Sequence, residues 1–260
     1  MRHAAIIERF HARTQRGSVP RTREKRTFLV PGTWPLSLRL GARLLYLPVV
    51  SIVVPPSGYY LANRLGRILL DSMEECLGPN GLNALLNLGG LGGDINARPP
   101  DDIALGFDIA DVSSLNRALE MVYGPRGGRG LALRGGRALY GRLTDAFDLP
   151  IGFNELAFRL LPVQTRLKIG IPALARLMNQ HSDVACRVVD RGSHYDYIVD
   201  RCPDCWGREA KVVSCHLTVG LLLEAASALG RSQEFRVVET ECRAAGAPAC
   251  VFRVEKEPIA

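Results

Sequence analysis

Residues 235–254 read FRVVETECRAAGAPACVFRV. Phe235 and Val237 alternate with Arg236 and Val238, and Val251 and Arg253 alternate with Phe252 and Val254. A period of two belongs to a strand, and Ala-Ala-Gly-Ala-Pro between the two runs is turn chemistry. Two strands, 234–241 and 248–254, are therefore expected to pair as a hairpin. Just upstream, CHLTVGLLLEAASAL (215–229) is apolar at helical spacing and is closed by Gly230. Before it the period is again two: Val184, Cys186 and Val188, then Tyr195, Tyr197 and Val199, with a link from Asp190 to Ser193 that contains Gly192. The order is β-β-α-β-β, and the short links favour antiparallel pairing within each hairpin. The class expected is α+β: a helical N-terminal half, then a four-stranded antiparallel sheet with helices packed on it.

The N-terminal half supports this. Leu61, Leu65, Ile68, Leu69, Met73, Cys76 and Leu77 recur at helical spacing, and Gly78–Pro79 stops that helix. A short helix over 80–90 follows. Another is expected to run to about Tyr123, capped by Asp111 or Ser113. Residues 153–180 form one helical region, broken or kinked near Pro162 and Pro172. Its apolar stripe, from Phe153 and Leu156 to Leu177 and Met178, packs a core or lines a ligand cavity.

Charge is unevenly distributed. The 260 residues carry a formal +7, with 47% apolar and 23% charged side chains, which are ordinary globular values. Residues 1–54 hold ten basic and two acidic side chains, and the remainder holds 23 basic and 24 acidic ones. A neutral body argues against nucleic-acid binding by the core domain, whose footprint is a basic face. The basic arm alone suits an anionic surface, or is a solvated tail. Residues 1–57, with six prolines, are expected to be a poorly ordered extension containing at most a short strand near 49–54, and 58–258 a domain. A translation start near Val53 or Val54 would leave that domain intact. The apolar run at 44–56 is too short to span a bilayer and contains Pro48. With no secretory signal and an odd cysteine count, a cytoplasmic protein with reduced thiols is expected.

Five of the seven cysteines lie in the last 59 residues. Cys242 and Cys250 flank the hairpin turn, so both sulfurs come within reach of one ion. Cys215 opens the helix before that hairpin, where the helix dipole favours a thiolate. Glu239 lies three residues before Cys242. Three thiolates and a carboxylate can close a tetrahedral zinc site with no open position, a staple rather than a catalyst. His216 is an alternative to Glu239. Cys202-Pro203-Asp204-Cys205 is a CxxC, which serves as a second metal pair or a redox dithiol. The plain alternative for all five is buried apolar cysteine. Upstream, GPRGGRGLALRGGRALYGRL (124–143) carries five arginines among seven glycines. It reads either as a tight helix–helix connection facing solvent, or as a cationic rim in which Arg126, Arg129 and Arg134 hold a ligand carboxylate.

Three segments, CPDCWGR (202–208), SCHLTVGLLLEA (214–225) and FRVVETECRAAGAPACVFRV (235–254), resemble the 4-vinyl reductase domain family. Glu239, Cys242, Gly246, Cys250 and Phe252 match its ending position by position, and Cys215 and Gly220 match its upstream helix. YYLANRLGRILL (59–70) and YGPRGGRGLALRGGRA (123–138) are also similar, so the resemblance covers about 58–258. It implies the ligand-binding fold of haem-type nitric-oxide sensors and TRAPP Golgi-trafficking subunits. It implies a structural zinc on Cys215, Glu239, Cys242 and Cys250, as in the sensor domains of phenol- and xylene-responsive activators. It also implies a nearby pocket for an apolar or tetrapyrrole-type ligand. In a binding module Tyr195, Tyr197 and the 153–178 stripe are candidate walls.

No nicotinamide or flavin fingerprint is present, and a reductase needs a hydride source. A sensor or carrier role is therefore expected ahead of catalysis. The alternatives are a divinyl (4-vinyl) reductase, or its accessory subunit, in (bacterio)chlorophyll biosynthesis, and a dimeric interaction module resembling TRAPP subunits. A homodimer is expected; in the interaction-module reading, Leu61, Leu65 and Ile68 on the first helix form its interface.

Overall fold

Ser57 bonds Asp108, its amide and hydroxyl both donating to that carboxylate. Asp108 also accepts from the amide of Ala110 and so caps a helix. This computed structural model describes residues 53–147 and 156–259. The basic arm, most of the strand expected at 49–54, and Phe153 lie outside the described residues.

A short strand β1 (Tyr60–Ala62) leads into α1 (Asn63–Leu88), followed by α2 (Gly93–Asn96), β2 (Leu105–Asp108) and α3 (Ile109–Ala146). After α4 (Leu156–Leu160) and α5 (Val163–Gln180) come β3 (Cys186–Asp190), β4 (His194–Val199), α6 (His216–Leu229), β5 (Phe235–Glu241) and β6 (Cys250–Pro258). The protein is α+β. β3, β4, β6 and β5 form, in that order, a wholly antiparallel sheet. α6 packs against α3 and against β5 and β6, and α5 against α6 and β3. Tyr197, Phe235, Phe252 and Val254 are buried in the sheet. No helix among the described residues is long and apolar enough to cross a membrane.

Several boundaries differ from the sequence expectation. Leu61 belongs to β1, which pairs antiparallel with β2, rather than to the first helix. Strands of three and four residues leave too little alternation to read. α3 is capped by Asp108, not by Asp111 or Ser113. The Arg/Gly segment is neither a turn nor a loop: 125–143 is the second half of α3. Gly78 and Gly124 behave alike, each holding φ near +70° and ψ near +167° between two helical stretches, with a proline beginning the next. Only glycine adopts that conformation cheaply, and proline is favoured at a first helical position. The break at Pro162 is present, whereas Pro172 sits inside α5 without ending it.

Leu61, Leu65 and Ile68 are buried within this chain. That face is therefore not available as a dimer interface: β1 and α1 already bury it in the core of this chain.

Candidate metal centre and adjoining cavity

Local irregularities bring the candidate metal ligands together. In a regular strand Glu239 and Cys242, three apart, would face opposite sides of the sheet. β5 carries a register shift between Glu239 and Glu241, where Glu239 faces Phe252 and Glu241 faces Val251. The extra residue turns Cys242 onto the face of Glu239. Cys250, two residues before Phe252 and paired with Val199 of β4, shares that face. Gly246, at φ +97°, closes the turn between the strands. Cys215 is the N-cap residue of α6, and its amide donates to Glu239 Oε2 over 2.8 Å.

The CxxC folds onto the same place. Cys202, Cys205, Cys215, Cys242 and Cys250 are all buried. Sγ–Sγ distances are 3.6 Å for Cys202–Cys215, 3.5 Å for Cys205–Cys250, and 3.7 Å for both Cys215–Cys242 and Cys215–Cys250. Zn–S bonds of about 2.3 Å in a tetrahedron put neighbouring sulfurs ~3.8 Å apart. Neighbouring thiols are thus spaced as two ligands of a shared tetrahedral ion would be. Two four-residue sets have all their ligand atoms within 4.8 Å of one another: Cys202, Cys205, Cys215 and Cys250, and Cys215, Glu239, Cys242 and Cys250. The sequence ranked the CxxC second, yet its thiols lie as close to Cys215 and Cys250 as Cys242 does to Cys215. His216, half-buried, belongs to neither set; burial first, and Arg129 next, hold its imidazole below the usual histidine range.

The electrostatics also point to a cation. Glu239 Oε1 is buried with no hydrogen-bond partner, and burial pushes this carboxyl up to about 8. Burial pushes the Cys202 thiol up to about 12. Contact with Cys202 and the other thiols holds Cys205 well below the ordinary thiol range, and Cys215 and Cys250 well above it. In a desolvated cluster the first thiolate opposes every further negative charge. A divalent ion removes that opposition, and a thiolate-rich tetrahedral set suits zinc.

Asp204, between the two CxxC cysteines, is fully buried. It accepts from the Thr218 amide and hydroxyl (3.0 and 3.1 Å), capping α6 from outside the helix. Burial pushes its carboxyl up to about 7. Asp204→Ala is expected to cost about 1–2 kcal/mol through the lost cap, read as a lower melting midpoint of the metal-loaded protein.

A cavity of about 50 Å³ adjoins the cluster. Its walls are Leu61, Leu65 and Leu69, Val112, Leu139 and Leu143, Met178, and Leu217, Thr218 and Leu221; Pro203 and Asp204 close it. Met178 is its sole contribution from the 153–178 stripe among the described residues. Tyr195 and Tyr197 are not among its lining residues. Tyr195 lies under the Lys256 ammonium, 4.3 Å from the ring centroid, and Tyr197 is buried inside the sheet. Arg126, Arg129 and Arg134 are exposed on α3, and none of them lines the cavity. On the other side of the CxxC, a recess of about 230 Å³ is lined by Cys202, Cys205, Trp206, Gly207, Arg208 and Arg243.

No protein-family model matches the chain, and no curated protein matches it. Among solved structures it is similar to the phenol-responsive sensory domain of the transcription activator PoxR with phenol. That match has 20% identity over 58% of this chain and 79% of the other, with a TM-score of 0.42. It is also similar to an H-NOX protein from S. oneidensis in the Fe(II)NO ligation state, with 14% identity over 73% of this chain and 97% of the other, and a TM-score of 0.43.

Proposed function

We propose that residues 58–258, with Val54 and Ser57 packed onto them, form a zinc-stapled module that takes a small apolar molecule in a sensor or carrier role. The supporting observation is that metal centre and cavity share a wall. Pro203 and Asp204, inside the CxxC, and Leu217, Thr218 and Leu221, directly after Cys215, line the cavity. A metal on Cys202, Cys205 or Cys215 therefore sets the position of that wall, and an occupant pressing on it reaches the metal loop. The resemblance of 202–254 to the 4-vinyl reductase domain family points the same way.

The size of the cavity narrows the occupant. An engineered apolar cavity of roughly 150 Å³ holds benzene, and drug-sized sites run to several hundred. At about 50 Å³ the cavity admits one aromatic ring only after a flexible lining side chain such as Met178 moves aside. A tetrapyrrole is far too large, so a single-ring molecule is the class proposed. In the carrier or sensor role zinc holds the frame and performs no chemistry.

Titration of the zinc-loaded chain with benzene, phenol and toluene, followed by methyl NMR, tests this. Shifts confined to the leucines of the cavity are expected, and Val112→Phe, which fills it, should weaken binding at least tenfold. Absence of any shift with all three probes would overturn the reading.

A further inference from the structure

One ion leaves part of the cluster unused. An ion on Cys202, Cys205, Cys215 and Cys250 abandons the Cys242 thiol and the unpartnered, nine-tenths-buried Glu239 Oε1. An ion on Cys215, Glu239, Cys242 and Cys250 abandons the two buried thiols of the CxxC. The two sets overlap only at Cys215 and Cys250, whose sulfurs are 3.7 Å apart. A thiolate has lone pairs enough to bind two ions at once. Six ligands with two shared complete two four-coordinate sites.

We propose that this is a binuclear centre: two divalent ions of the zinc class bridged by Cys215 and Cys250. Cys202 and Cys205 are the terminal ligands of one ion, Glu239 and Cys242 of the other. The inference rests on the metal-staple reading above and extends it.

Charge supports the count. Five thiolates and a carboxylate carry six negative charges, against two for one dication and four for two. The remaining excess meets positive partners already in place. The amide of Arg243 donates to Cys250 Sγ at 3.3 Å, and Cys215 sits at the positive end of α6. Arg208 and Arg243 border the recess on the CxxC side. Arg243 also lies 5.2 Å over the Trp206 ring, and its guanidinium donates to the carbonyl of Asp200. Arg208 is mostly buried and its charge is already matched by Glu120 at 2.5 Å, so it does not enter this balance.

Metal stoichiometry of the whole chain tests this. Native mass spectrometry after saturation with zinc is expected to show two ions per chain. Cadmium-113 NMR of the cadmium-loaded, unsubstituted chain should give two resonances, a readout that does not depend on any variant folding. C205S and C242S should each retain one ion. One ion at saturation with a single cadmium resonance overturns the binuclear centre. If that ion survives C205S and is lost in C242S, or the reverse, the single-ion staple stands. A chain that binds no ion overturns both.

Discussion

Stripping the metal with a strong chelator is expected to unfold the C-terminal sheet and α6 together, and re-adding zinc to restore them. Binding of a structural zinc contributes about 10–16 kcal/mol in small metal domains, as much as the whole stability of an ordinary domain, about 5–15 kcal/mol. Here the candidate ligands come from the loop after β4, the start of α6, and β5 and β6, so losing the ion removes the one tie that joins all four, leaving the strand ladders and the packing of α6 to hold alone. Without it, five buried thiols and a buried carboxylate remain packed together, with Glu239 Oε1 lacking a hydrogen-bond partner. Cys215→Ser should have the same effect, because Cys215 belongs to both ligand sets. Two controls separate metal from packing. Cys186 is buried in β3, where burial pushes its thiol up to about 11, but it is in neither set; Cys186→Ser should lower the midpoint modestly and leave metal content unchanged. Cys76, half-buried on α1, should tolerate serine almost silently. Circular-dichroism melts of the four proteins, with and without chelator, decide the matter. Equal midpoints before and after chelation would show that the cysteines are ordinary core.

The second large effect is expected at the crossing of α3 and α6. Gly136 and Gly220 let the two backbones meet. A Cβ on Gly136 would overlap the Leu217 carbonyl oxygen and lie 2.8 Å from the Leu221 amide nitrogen. A Cβ on Gly220 would overlap the Leu133 carbonyl oxygen and lie 2.9 Å from its carbon. The atoms in the way are backbone, so no side chain can swing aside. Gly136→Ala or Gly220→Ala should cost roughly 3 kcal/mol or more, which for a domain of about 200 residues lowers the melting midpoint by about 10 °C. The effect should reach the metal centre, because displacing α6 displaces Cys215 at its start. Gly130 and Gly141 provide the contrast: both lie on α3 with open space around the added atom, so alanine there should stabilise by about 0.5–1 kcal/mol. Similar midpoints for all four variants would show that the crossing is not as close as described.

The sheet was legible because its information is local. Alternation at 184–188, 195–199, 235–238 and 251–254, with glycines 192 and 246 in the turns, specifies two hairpins through side-chain period and backbone freedom within a few residues. Cys242 and Cys250 were legible as a pair for the same reason. Gly78 was recognisable as a helix break, because glycine before proline ends a helix wherever it falls.

Other features are set over distances that residue spacing does not encode. Cys202 and Cys205 precede Cys250 by more than forty residues, and they arrive at the cluster because the loop after β4 folds back over the start of α6. The bulge that turns Cys242 toward Glu239 depends on pairing with β6. The glycines of 124–143 looked like turn residues because glycine alone carries no information about a neighbour. They are helical, and 135 and 136 are small because α6 and Met73 occupy the space a side chain would need. Residue type and short-range period thus establish the strands, the hairpins and the candidate ligands. Long-range packing decides which thiols meet, which apolar face is covered and where the cavity lies, because those depend on backbone approaches between elements far apart along the chain.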